Sequence, residues 1–289
     1  MTNKNNWVNK SLSGYSKLFE PNSSWMSISL ISTFNLETCN VEDPLEQVLN
    51  RKELEEFDYI PVRSKNSVVG VLNAKNLRDS KNTIDSVNLT IEQLDEPIFK
   101  KLDESILISI NGDIISFLKG SDISPFRLVL DGTEISGIVT ISDLQKLAVR
   151  SVLSSLLNYL EILMAESIRK KCPNDKDWMS ELDNSKQNRI NKKWTELTAS
   201  NMAIDKLTAT DLNDKISVVK KLEIISNCRD EVSENLENIR KFRNSVNHMH
   251  DYASNSENAK KVSKIVRYIF EIIDKLEDVI QGRESLNII

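Results

Sequence analysis

One pattern recurs in this chain and limits what the chain can fold into. Tyr59-Ile60-Pro61-Val62 and Ser67-Val68-Val69-Gly70-Val71-Leu72 read as two adjacent strands around a Ser64-Lys65-Asn66 turn. Phe126-Arg127-Leu128-Val129-Leu130 and Ile135-Ser136-Gly137-Ile138-Val139-Thr140 repeat that plan around Asp131-Gly132. Gly70 and Gly137 correspond, so the unit recurs at the interval that separates them. A self-similar strand–turn–strand unit implies an internal duplication.

Near residue 150 the character of the chain changes. Leu153, Leu156, Leu157, Leu160 and Met164 keep a helical apolar spacing, as do Ile216, Val219, Leu222 and Ile225. Val262, Ile265, Val266, Ile269, Ile272, Ile273 and Leu276 do the same. Pro173 separates the first helix from the second. The spacing predicts five helices, over roughly 150–171, 175–200, 203–226, 228–250 and 256–281. The expected fold class is α+β: an N-terminal extension over 1–25, a duplicated α/β module over 26–150, and an all-α bundle over 151–289. No glycine- or proline-rich linker separates the halves, and so short a junction suits mechanical coupling better than free tethering.

Composition bounds the function. The net charge of −5 argues against a general nucleic-acid coat protein. The excess acid lies in residues 1–150, with 16 Lys and Arg against 21 Asp and Glu, whereas residues 151–289 hold 22 of each. A nucleic acid would be repelled less by the second half and could be met there by a local basic face. Cys39, Cys172 and Cys228 form no CxxC pair, so neither a disulfide framework nor a zinc site is indicated. The most apolar stretch, Val152 to Ala165, is interrupted by Ser154, Ser155, Asn158 and Glu161, and the N-terminus lacks a signal-peptide core. A cytoplasmic address without membrane insertion is the expectation.

The second copy carries Gly137-Ile138-Val139-Thr140-Ile141-Ser142-Asp143. Gly137 permits close backbone approach at a strand end, and Thr140 presents a hydroxyl to a phosphate oxygen. Asp143, one turn on, can accept from both hydroxyls of a ribose. Thr140 and Asp143 also fit a simple N-terminal cap on the helix that runs through Leu147. On these residues the unit resembles the cystathionine-β-synthase (CBS) domain family. The resemblance implies paired domains and an adenine-nucleotide ligand contacted by Gly137, Thr140 and Asp143 and by the strand Ile60-Pro61-Val62. In the first copy Asn73 and Asn76 replace the threonine and aspartate, and in the second Phe126-Arg127-Leu128 replaces the usual Pro-Val strand. One competent site per chain is the most to expect.

The only two histidines, His248 and His250, lie close to Arg243 on the predicted fourth helix. Arg243 and His248 differ by about 140° around an ideal helix, whereas Asn244 and His248 share a face and Arg243 stacks over Asn247. His248 and His250 point about 200° apart on a helix, so they do not chelate a metal together. Arg243, Asn244 and His248, with four residues between the arginine and the histidine, resemble the motif of the HEPN (higher eukaryotes and prokaryotes nucleotide-binding) superfamily. The resemblance implies a composite site in a homodimer that cleaves RNA without a metal or catalytic cofactor. His248 would move the proton and Arg243 would stabilise charge on the phosphoryl oxygens, with Asn244 orienting the imidazole. Arg240, Lys241, Asn247 and His250 would contact substrate. The same resemblance implies a stress or antiviral toxin, open to restraint by an antitoxin protein. The alternative is an inactive bundle that binds a protein partner, in which Arg243 pairs with an acidic neighbour and the basic residues merely complement helix dipoles.

Overall fold

The computed structural model describes residues 19, 24–79, 89–200, 204–225, 231–248, 251–253 and 255–282. Most of the extension over 1–25 lies outside the described residues, as do Cys228 and His250. The chain divides into two compact units, Met1–Val149 and Arg150–Ile289.

The first unit holds two sheets. One has the order β1 (Cys39–Asn40), β2 (Tyr59–Ser64), β3 (Ser67–Asn73), β4 (Phe99–Lys101), and the other β5 (Leu107–Ser109), β6 (Phe126–Asp131), β7 (Glu134–Thr140). Short helices α1 (Leu45–Asn50), α2 (Ala74–Asp79) and α3 (Ile114–Gly120) accompany them. The duplication is explicit in the backbone. The offset between Gly70 and Gly137 also carries the first residue of β2, Tyr59, onto that of β6, Phe126. It carries the first residue of β3, Ser67, onto that of β7, Glu134. Each hairpin has an irregularity at the same place, between Val62 and Arg63 and between Val129 and Leu130. Each sheet opens with a parallel pair, Cys39 against Val62 and Ile108 against Val129.

Both repeat glycines serve close packing of the protein's own backbone. A Cβ at Gly70 would come within 2.4 Å of the Lys100 carbonyl oxygen, and one at Gly137 within 2.9 Å of that of Thr33. Gly137 is the fourth residue of seven in β7 rather than its end. There the Thr33 backbone exchanges both hydrogen bonds with Ile138, at 2.8 and 2.9 Å, so this short bridge takes the place that β4 has in the first copy.

Two apolar cores follow from the alternation of the strands. Ile60, Val62 and Leu72 join Leu45, Val48, Leu54, Leu77 and Ile91 in the first. The second gathers Val68 and Val71 from one copy with Phe126, Leu128 and Ile138 from the other, together with Ile106.

The second unit is helical. Its elements are α4 (Leu147–Lys171), α5 (Asp175–Met179), α6 (Asn184–Ala199), a 3-10 helix Lys206–Ala209, α7 (Leu212–Lys221), α8 (Glu231–Asn247) and α9 (Ser256–Gln281). Two of the five predicted helices are subdivided. The second breaks after Met179, and Asp183 starts α6 by accepting from the Lys186 backbone N–H at 3.0 Å. The third becomes the 3-10 turn and α7, with Asp205 and Asp211 as their N-caps. A short aspartate that bonds backbone N–H groups restarts a helix, and apolar periodicity does not register it.

Helix α4 is by length and composition the one described helix long and apolar enough to cross a membrane, although the sequence shows no uninterrupted run of that length. Half of its apolar stretch is buried in the protein. Val152, Leu153, Leu156, Leu160, Met164 and Ile168 are fully buried, and polar residues of the same helix engage the bundle. Glu161 meets the buried Lys215 at 2.9 Å, Tyr159 donates to Glu277 at 2.5 Å, and Arg169 binds Asp205 in a two-bond pair at 2.5 and 3.1 Å.

Candidate functional site

Helix α8 carries the arginine–histidine motif on its last turns. Leu236, Ile239, Phe242 and Val246 form its buried stripe, which fixes how the helix is rotated. Arg243 flanks that stripe and is half-buried, while Lys241, Asn244, Asn247 and His248 are exposed. Among the described residues Arg243 has no ion pair, so the acidic neighbour that an inactive bundle would give it is not found there. The helix ends at Asn247, and the His248 N–H donates to the Asn244 carbonyl at 2.9 Å, continuing the turn. Asn244 and His248 therefore share a face, as their spacing requires. The hydrogen bond that joins them belongs to the backbone, and among the described residues the Asn244 amide does not hold the imidazole.

The expected substrate contacts differ from one another. Arg240 is engaged within its own helix by both Glu237 oxygens, at 2.5 and 2.8 Å. That bond holds the Glu237 carboxyl below its ordinary range. Arg240 thus serves an i,i+3 pair as it stands, and Lys261 is paired likewise with Glu257 at 2.8 Å. Lys241 remains exposed. The Asn247 side-chain oxygen accepts from the Ser154 hydroxyl at 3.4 Å. His250 falls outside the described residues.

The sequence reading places a short coupling junction near residue 150 and gives the Arg150 side chain no contact of its own. In the structure its guanidinium reaches the end of α8, where one nitrogen donates to the Ser245 carbonyl at 3.1 Å and the Val246 carbonyl at 2.6 Å. The same guanidinium lies over the Tyr252 ring, 4.9 Å from its centroid. Tyr252 in turn meets Phe242 edge to face at 5.7 Å, and its burial pushes the phenol up to about 12. The available signal was a cation in the first turn of α4, ahead of its apolar stretch.

The polar groups of the Gly137–Asp143 segment are engaged by their own chain. Thr140 is the N-cap of a 3-10 helix, Ile141–Gln145, and not of the helix through Leu147, because Lys146 is extended and α4 starts afresh after it. Thr140 and Asp143 form a reciprocal capping box, with the Thr140 N–H donating to Asp143 Oδ2 at 2.6 Å. The other oxygen, Oδ1, takes the Lys146 ammonium at 2.7 Å. A ribose diol at Asp143 would compete with that lysine for Oδ1. In the first copy Asn73 Oδ1 accepts from the Asn76 N–H at 3.0 Å, a one-sided version of the cap. Ile60, Pro61 and Val62 are buried in the other sheet, so their side chains belong to the core and only their backbone could meet a ligand.

Among the described residues no three His, Cys, Asp or Glu side chains are grouped to hold a metal. Cys39 is buried, which pushes its thiol up to about 12 and keeps it from acting as a nucleophile near neutral pH.

No family model and no curated protein matches the chain. Solved structures similar to it contain CBS domains. The CBS domain of a bacterial CNNM/CorC family Mg2+ transporter in complex with ATP is 21% identical over 49% of this chain and 96% of that one, with a TM-score of 0.37. A hemolysin-like CBS protein of Oenococcus oeni is 16% identical over 46% of this chain and 93% of that one, with a TM-score of 0.33. A CBS domain protein of unknown function from Thermoplasma acidophilum is 17% identical over 45% of this chain and 75% of that one, with a TM-score of 0.34.

Proposed function

We propose that the chain is a HEPN-type, metal-independent endoribonuclease that acts as a homodimer under the control of an adenine nucleotide. The observation that carries this reading is the end of α8: a half-buried Arg243 with no ion pair among the described residues, followed one turn later by an exposed His248. Two copies of this helix packed about a twofold axis bring one chain's Arg243 to the other's His248. The ribose 2′-oxygen then attacks the adjacent phosphorus and the 5′-oxygen leaves. A histidine takes the proton from the 2′-hydroxyl, and a histidine returns one to the leaving oxygen. Arg243 stabilises the charge that develops on the phosphoryl oxygens. The products are a 2′,3′-cyclic phosphate and a 5′-hydroxyl end, and DNA is spared for want of the 2′-hydroxyl. The nucleotide binds at Thr140 and Asp143 in competition with Lys146. Such an enzyme serves as a stress or antiviral toxin restrained by its ligand or by an antitoxin protein.

A second reading, a non-catalytic regulator whose bundle binds a protein, is favoured by the intrahelical pairing of Arg240 and Lys261, which shrinks the basic face available to RNA. Cleavage of mixed RNA, with and without AMP, ADP and ATP, separates the two. Cleavage that is lost in an Arg243→Ala/His248→Ala double variant supports the ribonuclease. Retained cutting by that variant refutes the site, and no cutting with any nucleotide favours the regulator.

A further inference from the structure

We infer that Arg150 is the positioning residue of the motif turn, the group that fixes where His248 sits. The inference rests on the ribonuclease reading for its kinetic consequences, but its structural part stands apart from it. A helix leaves its last four carbonyls without helical partners. At the end of α8 the Asn244 carbonyl is met by the His248 N–H, and those of Ser245 and Val246 are both met by Arg150. Beyond His248 the chain returns to the same guanidinium through the Tyr252 ring. Arg150 therefore holds the segment on both sides of His248, through the Ser245 and Val246 carbonyls before it and the Tyr252 ring after it.

The chemistry of the group suits this task. A planar guanidinium can donate in its plane and stack on its face at once, which an ammonium cannot do. Its charge also opposes the negative end of the helix, so the turn need not recruit His248 for that purpose. Ser154, one turn further along α4, adds a hydroxyl to the Asn247 side chain. The start of α4 thus contacts Ser245, Val246 and Asn247 in succession, immediately before the histidine. Arg150 touches no reacting atom in this scheme and acts through His248.

The test compares wild type, Arg150→Ala, Arg150→Lys and Tyr252→Leu in the full chain, at protein concentrations matched for the folded fraction by thermal melt. With a short RNA, Arg150→Ala is expected to lower kcat by about 10- to 100-fold, the scale of a misplaced catalytic group. The loss should fall on kcat more than on KM, because the histidine that Arg150 positions moves the proton. Arg150→Lys is expected to recover part of the loss, and Tyr252→Leu to lose less than Arg150→Ala. An independent arm follows the two imidazoles of the chain by NMR, assigned with a His250→Gln variant. Arg150→Ala should move the His248 signals, and Arg150→Lys should move them less. An unchanged kcat, or an unmoved His248 spectrum, overturns the assignment of Arg150. If the wild-type chain cleaves no RNA, the ribonuclease reading fails and the NMR arm decides the role of Arg150 by itself.

Discussion

Tyr59 and Phe126 are the same residue of the repeat, and their rings meet 4.8 Å apart at a tilt of 38°. Each opens the first strand of its own hairpin. Val71 and Ile138 are a second such pair within the same core. The duplicated copies therefore join through equivalent positions, as a twofold-related pair of chains would.

This contact has a measurable worth. Phe126→Ala should destabilise the protein by about 3–5 kcal/mol through lost burial and the cavity left behind. A double-mutant cycle with Tyr59→Ala should give a coupling of about 0.5–1.5 kcal/mol, the range for a well-placed aromatic pair. Burial, followed by the charge of Asp58, pushes the Tyr59 phenol up to about 12, so the pair stays neutral across the working range. Additive losses in urea melts would show that the two rings do not support one another.

The hairpin turns make a comparison within one molecule. Lys65 has φ of 55°, and Gly132, at the equivalent position of the second hairpin, has φ of 60°. The left-handed region costs a residue with a Cβ more than it costs glycine. Lys65→Gly should therefore stabilise the fold by about 0.5–1 kcal/mol, net of the extra chain entropy of glycine. Gly132→Lys should destabilise it by a similar amount. A fall in melting temperature for Lys65→Gly would mean that the lysine side chain makes a contact worth more than the strain.

Much of this was legible in the sequence, for identifiable reasons. The repeat was visible because close packing against Lys100 and Thr33 forces glycine at 70 and 137, and strand alternation places apolar residues in step around them. The long helices were visible because α4, α8 and α9 each bury a continuous stripe. The breaks inside the second and third predicted helices were hidden, since they depend on Asp183, Asp205 and Asp211 turning back to the backbone. Capping at Thr140 was recognised as an alternative, but the occupation of Asp143 by Lys146 was not, because an ammonium one turn on also fits a simple surface pair. Arg150 was missed for a different reason: its partners are carbonyls and a ring near the far end of the chain, and backbone carbonyls leave no mark in a sequence.

Acid should weaken the helical unit through Asp205. Burial alone would raise its carboxyl, but the hydrogen bonds and charge of Arg169 outweigh that and hold it below its ordinary value. A carboxyl depressed in the folded state contributes stability above its unfolded value and loses it as the pH falls through the folded one. Glu166, which also binds Arg169, goes the other way, because burial raises it, and it partly offsets the loss. The Asp205 side chain is 40% exposed, so solvent screening limits the pair to about 1 kcal/mol. Asp205→Asn should flatten the decline of melting temperature between roughly pH 5 and pH 3. A decline as steep as that of wild type would place the acid sensitivity elsewhere.

The capping box at Thr140 supplies the sharpest test of ligand binding, because its two roles respond differently to mutation. As a cap, Thr140 contributes about 1 kcal/mol, so Thr140→Ala should lower the melting temperature with or without nucleotide. As a binding site, the motif should let ATP, ADP or AMP at about 100-fold over its dissociation constant stabilise the wild-type chain by ~2.7 kcal/mol. Asp143→Asn should abolish that gain, since the ribose loses its charged acceptor. Lys146→Ala should preserve or increase it, because the ribose no longer competes for Oδ1 with an ammonium 2.7 Å away. A wild-type melting temperature indifferent to all three nucleotides would leave capping as the whole role of Thr140 and Asp143.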